Sequence, residues 1–212
     1  GYGIERTHLG FKRWGVYSHR VVEPLHPLVS TINTRFDVPH SRFNEIFRED
    51  MERVGLRVLV ESGEAGVHLA VSEDLVRVVF FQGHPEYDTI SLFKEYKREV
   101  TRYYLGERED FPPLPEHYFN LDLSDWLNRH GQKVRQARRE GLPLPELEEQ
   151  SVVSHLENTW RDTAKAVFNN WLGLIYQVTD QDRRKPLMKR VDPNDPLGLV
   201  GKLHHPEAGG VK

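Results

Sequence analysis

The chain has 212 residues, with 29 Lys and Arg against 32 Asp and Glu, a net charge of −3. That balance argues against a dedicated nucleic-acid protein, no apolar run approaches the roughly 20 residues of a membrane-spanning helix, and no signal-peptide pattern is present. A cytoplasmic protein is expected. Cysteine is absent, which excludes disulfides, cysteine-ligated metal and a cysteine nucleophile within these residues.

The chain opens on Gly1-Tyr2-Gly3, which reads as the interior of a loop, so a segment of a longer protein is expected. Residues 1–14 are polar and glycine-rich and read as loop. Residues 16–23 alternate β-formers with polar residues, which predicts a strand. Residues 34–42, broken by Pro39, read as loop. Phe43, Ile46, Phe47, Met51 and Val54 recur at helical spacing and predict a helix over 42–54. Strands are predicted at 56–61, 67–72 and 75–81, the first two joined by the turn 62–66 as an antiparallel pair.

Helices are predicted at 89–105, 123–140 and 159–178, with the proline-rich connector 111–115 between the first two. Residues 183–212 are basic and lack periodicity, so an extended or disordered tail is expected. Arg183, Arg184, Lys185, Lys189 and Arg190 lack the interleaved aromatics of a nucleic-acid surface. His204 and His205 in this tail read as solvated.

Three places carry chemistry. Gly83-His84-Pro85-Glu86-Tyr87 follows an apolar strand and precedes a helix, a position where side chains face a cleft. His84 moves a proton near neutral pH, and Glu86 orients the imidazole. Such a dyad usually serves a Ser or Cys nucleophile. Ser41, in Pro39-His40-Ser41-Arg42-Phe43, stands at a junction where an N-cap leaves backbone N–H groups for an anion. Arg98 suits bidentate capture of a carboxylate. Each has a structural alternative, and on the residues alone that alternative is preferred: a surface turn, a plain N-cap and a solvated helix face. No HExxH string and no cysteine are present, so no metal is expected.

Taken together and in order, PHSRF (39–43), GHPEYD (83–88) and NWLGLIYQVT (170–179) resemble the homoserine O-acyltransferases of methionine biosynthesis. That succinyl- and acetyltransferase family is built on a class I glutamine-amidotransferase-like fold. The stretch from Gly3 through Lys12 to Tyr17 extends the likeness. The resemblance implies the C-terminal portion of a three-layer α/β/α sandwich. It places an acyltransferase domain over 1–182, with a charged helical insertion at about 118–158.

It further implies ping-pong transfer through a cysteine thioester, the cysteine lying upstream in an N-terminal portion of the same enzyme. His84 becomes the base and Glu86 its partner, while Lys12, Ser41 and Arg98 become substrate contacts. The substrates implied are homoserine and acetyl-CoA or succinyl-CoA, with no other cofactor, in a homodimer without nucleic-acid or membrane partners. The competing expectations are an amidotransferase-like hydrolase portion and a non-catalytic module lacking the nucleophile.

Overall fold

A long antiparallel ribbon organises the chain in the computed structural model, which describes residues 2–203. Strand β1 (Thr7–Val21) pairs with β2 (Arg35–Glu45) from Thr7 opposite Glu45 to Arg20 opposite Arg35, with a break in register between His8 and Arg13. Three more strands follow, β3 (Arg57–Ser62), β4 (Gly66–Val71) and β5 (Val79–Phe81). The sheet order is β2-β1-β3-β4-β5, antiparallel throughout. Helices α1 (Arg48–Arg53), α2 (Ser91–Tyr104), α3 (Leu121–Glu140), α4 (Glu149–Val153) and α5 (Arg161–Val178) complete a mixed α/β chain, the class expected.

The sheet curls until its ends meet. β2 and β5 lie at opposite edges, yet residues just after β5 bond to β2 and its end. Gln82 takes the Ile46 N–H on Oε1 at 2.7 Å and donates Nε2 to the Ile46 and Val67 carbonyls at 2.9 Å. The His84 N–H donates to the Pro39 carbonyl at 2.7 Å. Curling satisfies edge groups that an open sheet leaves unpaired, and it delivers the loop after β5 onto β2.

The two largest of three apolar clusters lie under different helices. One lies under α5, with Leu28, Val38, Leu59, Leu69, Leu75, Val167 and Leu174 buried together. The other lies under α2 and α3, with Trp14, Leu92, Phe93, Tyr96, Leu127, Val134 and Trp160. Helix α3 is well terminated: the Asn120 side chain accepts from the Leu123 N–H at 2.9 Å, and Gly141 closes it at φ 66°. Residues of the 118–158 stretch therefore supply part of a core. No helix among the described residues is long and apolar enough to cross a membrane.

Several predicted elements change. Residues 7–14 are strand; residues 7–11 are mostly exposed, so no apolar alternation marks them in the sequence. Residues 35–45 are strand too. Pro39 is tolerated because β2 is an edge strand, where a missing N–H costs no ladder bond. The helix predicted over 42–54 shrinks to α1, since 42–45 belong to β2.

The strand predicted over 75–81 shrinks to β5. Ser72 and Asp74 build a turn there, with Asp74 Oδ1 accepting from the Val76 and Arg77 N–H groups, and Leu75 takes φ 70°. Residues 180–203 carry no helix or strand, but Leu203 is buried and Leu197 and Leu199 pack against the α5 cluster. His204 and His205 lie outside the described residues.

Candidate active site

The loop after β5 is pressed onto the curled sheet. A Cβ on Gly83 would fall 2.6 Å from Val38 Cγ1, 2.8 Å from His40 Nε2 and 2.9 Å from His68 Nδ1, so only glycine allows this approach. At the other end Trp160 Nε1 donates to the Tyr87 carbonyl at 2.8 Å. Between these anchors His84 Nδ1 lies 2.9 Å from Glu86 Oε1. A carboxylate only accepts, so Nδ1 carries a hydrogen, and in the neutral ring the lone pair lies on Nε2. The His84 side chain is one-third exposed and the Glu86 side chain two-thirds. The His84 ring stacks on Tyr87, with ring centroids 4.4 Å apart.

Lys12 and Ser41 meet beside this pair on a carboxylate the motif reading missed. Lys12 Nζ donates to Glu95 Oε2 at 2.7 Å, Ser41 Oγ donates to the same oxygen at 2.6 Å, and the Tyr87 hydroxyl donates to Glu95 Oε1 at 2.7 Å. Burial pushes the Glu95 carboxyl up, but these three hydrogen bonds and the Lys12 charge outweigh it, so its pKa lies below the usual carboxylate range. Burial, then the bond to Glu95, raises the Tyr87 phenol. Lys12 sits inside the register break of β1, and a bulge is a common device for re-aiming a side chain. Glu95 was legible only as an acid set among Leu92, Phe93 and Tyr96 on α2.

Arg98 is not drawn into this cluster. Its side chain is 61% exposed and its Nε lies 3.4 Å from Glu99 Oε1.

The PHSR string divides by strand alternation. Ser41 faces Glu95, while His40 and Arg42 point into the curl. There Arg42 Nε donates to His40 Nδ1 at 3.2 Å, and His40 Nε2 lies 3.2 Å from His19 Nε2. His19 Nδ1 lies 2.8 Å from the Tyr17 carbonyl. One assignment satisfies this relay: His19 donates from Nδ1, and His40 donates from Nε2 to the His19 lone pair. Both rings are then neutral. Burial lowers His19 to about 4, and burial with the neighbouring charges also lowers His40 and His68 well below the ordinary histidine value.

Glu86, though not His84, lines an open groove of about 760 Å³ between the loop after β5 and α5. Phe36, Val79, Phe81, Glu86, Phe168 and Trp171 are among its walls. Among the described residues one trio, Glu64, Glu116 and His117, brings metal-capable atoms near one another, and all three are exposed.

These features define an α/β chain with a hydrogen-bonded His–Glu pair on a strand-end loop and a lysine, a serine and a glutamate joined beside it. A family model described as homoserine O-succinyltransferase matches residues 1–181, and the chain belongs to that family. It is 74% identical over 199 residues to a homoserine O-succinyltransferase of Methylococcus capsulatus, covering 94% of this chain and 56% of the relative. Similar proteins of the same name occur in Methylobacter tundripaludum, at 64% identity over 93% of this chain and 56% of the relative, and in Thiothrix nivea, at 59% over 95% and 56%. The chain spans about half the length of these curated relatives.

Proposed function

We propose that this chain is the acceptor-activating portion of a homoserine O-succinyltransferase. The observation that carries the reading is the His84–Glu86 hydrogen bond at 2.9 Å, on a loop that also meets the Lys12–Ser41 cluster through Tyr87. In the first half-reaction a cysteine thiolate, supplied by the remaining part of the enzyme, attacks the carbonyl of succinyl-CoA. The carbon–sulfur bond to CoA breaks and an enzyme thioester forms. In the second, His84 Nε2 takes the proton of the homoserine hydroxyl as its oxygen attacks the thioester. The new carbon–oxygen bond replaces the carbon–sulfur bond, the cysteine leaves as the thiolate it began as, and His84 releases the proton to solvent, balancing the one the departed CoA thiolate takes up. Glu86 holds the tautomer and stabilises the transient imidazolium.

Lys12, Ser41 and Arg98 are the proposed substrate contacts, Arg98 for the homoserine carboxylate. Succinyl rather than acetyl is proposed because the family and its relatives are homoserine O-succinyltransferases by name. The homodimer and methionine biosynthesis rest on the family resemblance. The apolar groove beside Glu86 fits a face packed against the remaining part of the enzyme.

Serine as the nucleophile is disfavoured, because the Ser41 hydroxyl hydrogen is spent on Glu95 rather than directed to His84. Intact-mass measurement after incubation with succinyl-CoA tests the proposal. The 212-residue chain alone is expected to stay unmodified, and the complete enzyme to gain one succinyl group that homoserine removes. A stoichiometric adduct on this chain alone would falsify the missing-cysteine mechanism.

A further inference from the structure

We infer that Glu95 is a positioning residue that assembles the acceptor side of the site. This rests on the acyl-transfer reading above. Its carboxylate joins three elements distant in sequence: Lys12 on β1, Ser41 on β2 and Tyr87 on the loop after β5. The Glu95 side chain is only 14% exposed and the Lys12 side chain 19%, so this ion pair is shielded, unlike an exposed one. Lys12 is further confined over the Trp14 ring, its ammonium 4.1 Å from the centroid.

The arrangement fixes what each partner offers a substrate. Ser41 spends its single hydrogen on Glu95, so its oxygen presents lone pairs and accepts from a donor such as the homoserine ammonium. Lys12 spends one of three N–H bonds and keeps two for an anionic group. Tyr87, held by its hydroxyl, keeps its ring against His84, which links the placement of the base to the same carboxylate. Removing the Glu95 charge loosens all three together. The first half-reaction involves no homoserine, so on this reading it does not depend on these acceptor contacts.

The test uses the complete enzyme and separates its two half-reactions. A burst of CoA release from succinyl-CoA without homoserine reports acyl-enzyme formation. Steady-state turnover against homoserine reports the acceptor step. Glu95→Gln is expected to raise the homoserine KM about tenfold or more, because it removes a charge-assisted network, and to leave the burst rate within about twofold. A fall of both half-reactions together, or an unchanged homoserine KM, overturns the proposal.

Tyr87→Phe removes one of the three bonds and keeps the ring. It is expected to raise the homoserine KM by roughly two- to fivefold, and it decides the matter if Glu95→Gln does not fold. An unchanged KM in Tyr87→Phe then overturns the proposal. A wild-type enzyme without a burst overturns the acyl-transfer reading and this proposal with it. A wild-type burst with an unchanged variant KM overturns this proposal alone.

Discussion

Two groups of histidines lie within one loop's thickness of each other and are treated oppositely. His19, His40 and His68 are packed inside the curled sheet at 1%, 0% and 3% exposure. Above them His84 is partly open to solvent and touches a carboxylate. His19 and His40 spend their nitrogens within the protein, on a backbone carbonyl, on each other's ring and on Arg42. His84 spends one nitrogen and keeps the other. Imidazoles are therefore sorted by accounting for their lone pairs: a ring with both nitrogens engaged is structure, and a ring with one engaged by a carboxylate is equipped as a base. His68 stands between, because its buried Nδ1 has no hydrogen-bond partner among the described residues.

The largest effect expected from this contrast is on turnover. His84→Ala in the complete enzyme should lower the second half-reaction by about 10²- to 10⁴-fold, the usual worth of a general base, with little change in Tm. His40→Ala should do the reverse. It removes the middle of the relay, strips Arg42 Nε and His19 Nε2 of a partner, and should lower stability by about 1–3 kcal/mol. Paired measurement of turnover and Tm on the two variants decides whether the sorting holds. Equal losses of activity with unchanged melting would break it.

The next effect is on stability against pH. His19 and His26 are lowered from 6.5 to about 4, chiefly by burial, and His40 and His68 are also lowered. Because the folded pKa lies below the unfolded value, the unfolded chain takes up protons first as pH falls. The stabilising contribution is complete above pH 6.5 and declines toward pH 4. Each histidine that stays neutral in the fold costs about 1.4 kcal/mol per pH unit in that window. Thermal unfolding followed from pH 7 to pH 5 should show a steep fall in Tm. A flat profile would mean that the buried rings are charged or hydrated.

How much of this was legible in the sequence depends on how local each signal was. The His84–Glu86 pair was readable because its members are two residues apart and both lie on one short loop. Helix α2 was readable because Leu92, Phe93, Tyr96 and Val100 keep a 3.6-residue period on a buried face. The edge strand β2 was not. Pro39 counts as a breaker unless the strand is known to be an edge, and edges are set by pairing distant in sequence. The exposed arm of β1 shows no alternation because neither side of it is buried. Glu95 was the hardest, since its role comes from Lys12, Ser41 and Tyr87, which only the curl of the sheet brings to one carboxylate. Ser41 and Arg42 show the same limit within one motif: neighbours in sequence, they face opposite sides of β2 and belong to different networks.

The smallest effect sharpens the comparison most. His117 also touches a carboxylate, with Nε2 at 3.1 Å from Glu64 Oε2, nearly the 2.9 Å spacing of His84 and Glu86. If a His–carboxylate contact were sufficient to make a base, the two pairs should matter alike. Their surroundings differ. The Glu64 and His117 side chains are both more than half exposed, and Glu64 sits in the β3–β4 turn. The backbone beside His117 is also held close, since a Cβ on Gly15 would collide with the Glu116 carbonyl oxygen, but the Lys12–Ser41–Glu95 cluster is joined to the loop of His84 through Tyr87 and not to this pair. An exposed pair of this kind is worth about 0–1 kcal/mol and is screened by salt. Glu64→Gln should therefore change stability by less than about 0.5 kcal/mol and leave both half-reactions within about twofold of wild type. Glu86→Gln, which changes the same atoms on the same residue type, should slow the second half-reaction by at least about tenfold through loss of the oriented tautomer. Steady-state kinetics on the two variants measure the difference directly. A Glu64→Gln variant as impaired as Glu86→Gln would show that the hydrogen bond alone, and not the assembly around it, distinguishes a catalytic histidine here.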